Sequence, residues 1–200
     1  MRDTFPAKST RDALLDAADR LLAQNGYKKM TIDDLARDVG IGKGSVYLHF
    51  KSKEEIALAH IDRMVERIKQ SLQSVADGDG TPEERLVEML TVRVMIRFES
   101  VHHYRQSLNE LLAALRSQLL ERRKRYFEEE ARIVNAVVAE GQKSGIFAGG
   151  DPLDLSRTLV TASNSLLPYS LSAIELGERE EVRERARKLA DLLIKGLRKR

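Results

Sequence analysis

The chain has 200 residues, 42% of them apolar and 32% charged, with a formal net charge of +3 at pH 7. Cysteine is absent, which excludes disulfides, thiolate metal sites and cysteine nucleophiles and fits a reducing cytosol. No stretch approaches the ~18 uncharged apolar residues of a membrane span, and the N-terminal run lacks the apolar core of a signal peptide, so a cytoplasmic location is expected.

Aromatic residues make up 5%, and Ala, Leu, Glu, Arg and Lys dominate. That mix favours helices, so an all-α fold is expected. Ser9 with Asp12 opens the first helix as a capping box, and Leu14, Ala17, Ala18, Leu21 and Leu22 follow at helical spacing. Asn25-Gly26 ends it. Thr31 with Asp34 opens a second, short helix whose buried face is Ile32, Leu35, Ala36 and Val39, and Gly40 stops it. A third short helix runs from about Lys43 to Phe50. Ser52 with Glu55 opens a long fourth helix, about 53–75, which ends before Asp77-Gly-Asp-Gly-Thr-Pro82. The stripes beyond it predict helices at about 83–99, 103–115, 118–144, 153–176 and 179–197. Pro168 falls inside one of these, where it should free a carbonyl near Asn164 and kink the helix. No convincing strand and no internal repeat is present.

The run Gly40-Ile-Gly-Lys-Gly44 poses the functional question. A phosphate-cradling nucleotide loop needs glycine five residues before its Gly-Lys pair, followed by Ser or Thr. Position 37 is Arg37 and Lys43 is followed by Gly44, so that pattern fails. The dinucleotide fingerprint fails at Ser45. Both motifs need a preceding strand, and here a capped amphipathic helix precedes. The remaining reading is helix-turn-helix. Gly40 makes the turn, Ile41 plugs the angle between the helices, and Gly42 occupies the N-cap. Gly44, lacking a side chain, lets the helix backbone approach a DNA strand, and the helix start offers N–H groups to phosphate. Residues 40–53 carry Lys43, Lys51 and Lys53 and no acid.

The run Thr31-Ile-Asp-Asp-Leu-Ala-Arg-Asp-Val-Gly40 and Ile-Gly-Lys-Gly-Ser-Val-Tyr-Leu-His-Phe50, continuing through Lys-Ser-Lys-Glu-Glu-Ile56, resembles the DNA-binding signature of TetR-family transcriptional regulators. Thr31, Leu35, Ala36, Gly40, Gly44, Ser45, Tyr47, His49, Phe50, Ser52, Lys53 and Glu54 fall in its slots. Val39, Leu35 and Gly42 depart from the usual Ala, Ile and Ser or Thr. The resemblance covers about residues 8–56 in sequence. It implies a helix-turn-helix domain over 8–53 and a ligand-binding and dimerisation domain over 54–200. The function implied is sequence-specific DNA binding by a homodimer, most often a repressor released by a small-molecule effector. The dimer would form through helices 153–176 and 179–197.

The candidate DNA-contacting residues are Thr31, Gly42, Lys43, Gly44, Ser45, Tyr47, Leu48, His49 and Lys53. Lys43 suits a guanine in the major groove, against the alternative of a solvated lysine. Tyr47 suits a phosphate, or a half-buried core position, or both. Leu48 faces outward and could meet a thymine methyl. Thr31 caps its helix and could also meet phosphate. Candidate cavity residues are Met95, Phe98, Tyr104, Phe127, Asn135, Asn164 and Tyr169, each of which could equally be plain core. Glu128-Glu129-Glu130 reads as a solvated face, with Arg122-Arg123-Lys124-Arg125 pairing to it along the helix. His102 and His103 diverge by about 100° on a helix and do not form a simple metal site. No nucleophile elbow or His-x-x-x-His is present, so neither catalysis nor any cofactor or metal is expected. The alternative from another class is a dimeric helical adaptor that binds protein.

Overall fold

The computed structural model describes residues 9–102, 108–167 and 177–199. Its elements are α1 (Thr10–Lys29), α2 (Ile32–Val39), α3 (Lys43–His49), α4 (Lys53–Ala76), α5 (Pro82–His102), α6 (Leu108–Lys143), α7 (Pro152–Ala162) and α8 (Arg179–Leu197), with one 3-10 turn at Ser163–Leu166. The cavity candidates Tyr104 and Tyr169, and the expected kink residue Pro168, lie outside the described residues, as do His103 and the side chain of His102.

Side-chain caps start the N-terminal helices where the sequence places them. The Ser9, Thr31 and Ser52 hydroxyls accept from the N–H groups of Asp12, Asp34 and Glu55 at 3.1, 3.1 and 3.2 Å. Gly26 takes a left-handed φ of 74°, but the chain then adds one more turn through Lys29. Gly40 ends α2 with φ 75° and ψ 32°, a conformation that costs glycine nothing.

Two expectations for the C-terminal helices fail. The helices expected at 103–115 and 118–144 are, from Leu108 onward, one helix of 36 residues, about 54 Å at 1.5 Å per residue. The reason is local: no glycine or proline occurs from Leu108 to Glu140, and Ser117 turns its hydroxyl to the Gln118 side chain at 2.9 Å rather than to the backbone. The helix expected over 153–176 stops at Ala162. A tighter turn follows, and Leu167 is extended at φ −85°, ψ 147°. An extended Leu167 is the conformation that a following proline favours. The Asn164 carbonyl is not freed; it accepts the Leu167 N–H at 3.1 Å.

Packing centres on α4. Its first half shares a core with α1–α3 (Leu14, Leu35, Val46, Phe50, Ile56), and that core continues into Val94, Phe98, Leu111 and Leu115. Its second half, Ile68 and Leu72, joins Leu86, Val134 and Val138 in another. α8 packs on α5 and α7 on α6. The inward stripe of α8 is Val182, Ala186, Ala190 and Ile194, while Leu192 points out at 68% exposure.

Candidate nucleic-acid interface and helical cavity

The α2–turn–α3 unit presents one continuous outer surface. Val46 and Phe50 face the core, which turns Lys43, Gly44, Tyr47, Leu48 and His49 outward. Leu48 is 84% exposed and Tyr47 48%, so the tyrosine lies half in and half out of the protein. Gly42 is exposed and has no side chain to cap α3. A methyl group added at Gly42 or Gly44 would meet nothing within 4 Å, so space inside the protein does not require either glycine.

Three of the candidate contacts have partners that the sequence does not reveal. Lys43 Nζ lies 2.9 Å from Asp33 Oδ2 in the first turn of α2, and this carboxylate holds the ammonium above its ordinary pKa. The Thr31 hydroxyl donates to Asp34 Oδ2 at 2.6 Å, and this bond is the leading cause that holds Asp34 below the usual carboxylate range. Thr31 is thus a fully engaged cap. Lys53 Nζ donates to the carbonyls of Tyr27 and Lys28 at 3.1 and 3.4 Å and lies 4.4 Å from the Tyr27 ring centre. It fastens the start of α4 to the end of α1. Tyr27 adds a second fastening, donating to Glu54 Oε1 at 3.2 Å; burial, then Glu54, push its hydroxyl up to about 12.

Further along α4, Arg63 Nη1 pairs with Asp16 Oδ1 of α1 at 2.7 Å, and buried His60 lies 3.6 Å from Asp19. The next face of the same helix, Ile61, Met64 and Val65, walls a cavity of about 260 Å³ that α5 and α6 complete. Between these cavity residues, Asp62 pairs with Arg122 and accepts the Tyr126 hydroxyl proton, tying α4 to α6. Burial, followed by Asp62, pushes Tyr126 up to about 12.

Of the expected cavity residues, Phe127 lines this space. Met95 and Phe98 instead pack in the core on α5. Asn164 is drawn away by Arg93, whose Nη2 donates to its Oδ1 at 2.7 Å. Asn135 buries its Oδ1 without a hydrogen-bond partner among the described residues and does not line the cavity.

The cavity's polar side is made by residues the sequence reading did not select: Arg97, Arg116 and Arg123. Behind Arg97 sits a buried ion cluster. Glu130 accepts from Arg93 Nε with one oxygen and from Arg97 with the other, and Arg93 also donates to Ser163 Oγ at 2.8 Å. Glu130 and Arg93 are fully buried, which corrects the expectation of a solvated Glu128–Glu130 face. Burial pushes the Glu130 carboxyl up, but the two guanidiniums outweigh it and hold the group below its ordinary value. Glu128 and Glu129 do pair at the surface, with Arg157 and Lys69. A sequence signal existed: Arg93 and Arg97 are four apart inside the apolar run Val92–Val101, which places both on one buried helix face.

This geometry is that of a helix-turn-helix unit joined to a helical body. A family model described as "Bacterial regulatory proteins, tetR family" matches residues 14–60. The transcriptional repressor KstR2 of Mycolicibacterium smegmatis is 34% identical over 95 residues, which cover 48% of this chain and 44% of that repressor. The fatty acid metabolism regulator protein of Bacillus subtilis is 26% identical over 154 residues, covering 74% of this chain and 75% of the relative. A TetR transcription regulator from Haloarcula marismortui has the same fold, with a TM-score of 0.73 over 94% of this chain and 98% of its own at 23% identity. The chain is similar to TetR-family regulators in sequence over its helix-turn-helix segment and shares a fold with one of them over most of its length. It spans less than half the length of the first of these relatives. Among the described residues, no helix is long and apolar enough to cross a membrane.

Proposed function

We propose that this chain is a cytoplasmic, dimeric repressor that leaves its operator when a small molecule occupies the α4–α5–α6 cavity. The observation that carries the reading is α4 itself. One helix is fastened to α1, which packs on the helix-turn-helix, by Lys53, Glu54 and Arg63, and it also walls the cavity with Ile61, Met64 and Val65. An occupant that displaces α4 displaces the recognition surface with it. Residues 8–53 would then be the reading unit and 54–200 the sensing and pairing unit.

In this reading Lys43 and Leu48 meet base edges, while Tyr47, Ser45, His49 and the backbone at Gly42 and Gly44 meet phosphate. Lys53 and Thr31 act from behind, holding helix ends whose N–H groups face the strand. Lys43 must leave Asp33 to reach a base, so binding carries a local exchange of ion pairs. Two recognition helices must meet half-sites about 34–36 Å apart, which requires a dimer. Exposed Leu192 on α8, with Leu189 and Gly196 on the same side, supports pairing through 179–197; the other proposed segment, 153–176, is described as far as Leu167.

A mobility-shift titration against the DNA upstream of the chain's own gene tests the reading. Lys43→Ala with Tyr47→Phe should abolish binding and leave the melting temperature nearly unchanged, since both side chains are about half exposed. Normal binding by this double variant would overturn the interface. An effector coupling of about 1–3 kcal/mol would change operator affinity roughly 5–150-fold. A cavity ligand that left operator affinity untouched would remove the sensing part.

A further inference from the structure

We infer that Arg11, in the first turn of α1, binds a backbone phosphate of the DNA, so that the DNA-contacting surface extends past the helix-turn-helix segment onto the helix before it. The inference rests on the proposed DNA-binding role and adds a contact to it.

The first observation is position. Arg11 is exposed, and its guanidinium carbon lies 5.1 Å from the centre of the Phe50 ring. Phe50 directly follows His49, the last residue of α3, and is buried at 1% exposure. Arg11 therefore stands where the outward face of α3 ends. α3 has seven residues, about 10 Å at 1.5 Å per residue, against a major groove about 12 Å wide. A group beside the last turn of so short a helix is within reach of the strand that borders the groove. It sits on a flanking helix rather than on the one that enters the groove, which suits a phosphate rather than a base edge.

The second observation is that the charge of Arg11 is unspent. Arg20, Lys28, Arg37 and Lys43 each pair with a carboxylate, and Lys53 is held by two carbonyls. Arg11 makes no ion pair and donates no hydrogen bond among the described residues. The acids nearest in sequence to it and to Phe50 serve other donors: Asp12 accepts the Ser9 hydroxyl at 2.5 Å, and Glu55 accepts the Lys51 N–H at 2.6 Å. A cation in a first helical turn also opposes the helix dipole, so α1 itself gains nothing from the charge.

The third is how Arg11 is held. The Phe50 ring attracts the charge but takes no conventional hydrogen bond, so it fixes where the guanidinium stands and leaves its N–H donors available. Phosphate is the partner that such a planar fork grips with two parallel hydrogen bonds.

The test is fluorescence anisotropy of the full chain on two labelled duplexes of equal length, the DNA upstream of its own gene and a random sequence, over a range of salt concentrations. Arg11→Met keeps an apolar side chain over Phe50 and removes the charge. It should weaken binding to both duplexes by roughly 10-fold, leave their affinity ratio unchanged, and reduce the slope of log affinity against log salt by about two, one contact per protomer. Arg11→Lys should keep most of that slope. The melting temperature of both variants should stay near that of the wild type. A slope and affinity that Arg11→Met leaves unchanged overturn the inference. So does weaker binding with the wild-type slope, which would mean that Arg11 acts by positioning Phe50, and so does a changed affinity ratio, which would mean a base contact. Wild-type binding that Lys43→Ala with Tyr47→Phe abolishes and Arg11→Met spares removes this contact alone. A wild-type chain that binds neither duplex even at low salt removes the DNA-binding reading and the contact with it.

Discussion

The α2–α3 surface and the α4–α6 cavity both hold positive charge, but under opposite conditions. Lys43 is half exposed, its partner Asp33 more so, and water screens the pair. Arg93 and Glu130 are excluded from water, so their pairing is governed by desolvation. A surface cation can change partners cheaply, as Lys43 would have to do to exchange Asp33 for DNA in the proposed reading. A buried guanidinium cannot, because leaving its carboxylate exposes both charges to a medium that does not solvate them. The contrast predicts that substitutions in the first region change binding with little effect on folding, and that substitutions in the second change folding most.

The largest effect is expected at Glu130. Glu130→Gln removes the carboxylate that two buried guanidiniums share and should destabilise the chain by about 3–5 kcal/mol. At ~2–4 °C per kcal/mol for a chain of this size, Tm should fall by roughly 10 °C. The wild-type advantage should also depend on pH. Because Arg93 and Arg97 hold the folded carboxyl below its ordinary value, the stabilisation is complete above the unfolded pKa of about 4.3 and is lost as pH falls through the lower folded value. Urea midpoints of both proteins from pH 7 to pH 3 would show this. A difference that stays flat down to pH 3 would contradict the charged cluster.

The same contrast explains what could be read from the sequence. Ser9, Thr31 and Ser52 cap within three residues, and Gly40 signals its own left-handed turn, so α1–α4 and the outward face of α3 follow from local rules. The charge cluster is not local. Arg97 meets Glu130 across 33 positions, and Arg93 meets Asn164 across 71. A glutamate within Glu128-Glu129-Glu130 reads as solvated until α5 is packed against it. Polarity and aromaticity alone selected Met95, Phe98, Asn135 and Asn164 for the cavity, and packing assigned each another place. The end of α7 at Ala162, well before Pro168, was not legible from the apolar stripe, which continues through Leu166 and Leu167. The run of α6 through Arg116 and Ser117 was missed because two polar residues at the surface of a helix look like a loop.

At the surface, Gly44→Ala should separate folding from reading most clearly. The added methyl has open space, and alanine in a helix is favoured over glycine by about 0.5–1 kcal/mol. Tm should therefore rise slightly while operator affinity falls, if the backbone at Gly44 lies against a DNA strand. Unchanged operator affinity would move the strand off that part of α3. Asp33→Asn acts in the other direction. It releases Lys43 and removes a negative charge facing phosphate, so operator affinity should increase on the order of 2–5-fold at low salt, less as salt rises. Fluorescence anisotropy of a labelled operator would measure it, and a decrease would mean that Asp33 orients Lys43 for the base instead of withholding it.

The smallest effect is expected at Gly42, where the family pattern prefers a hydroxyl. Gly42 has φ −72° and ψ 149°, within about 10° of the −62° and 148° of Ser9, which does cap its helix. A serine side chain would thus start from the same backbone and could accept an N–H in the first turn of α3. Gly42→Ser should stabilise the chain by a few tenths of a kcal/mol, and Gly42→Ala, which has no acceptor, should be worse than either. That ranking, measured as urea midpoints of the three proteins, separates a capping effect from a simple gain in backbone stiffness, which alanine would share. Serine equal to alanine would show that α3 does not need a cap at this position. Operator titrations of the same three proteins then read the second role. If the hydroxyl also reaches a phosphate, serine should bind more tightly than glycine by more than its gain in stability accounts for.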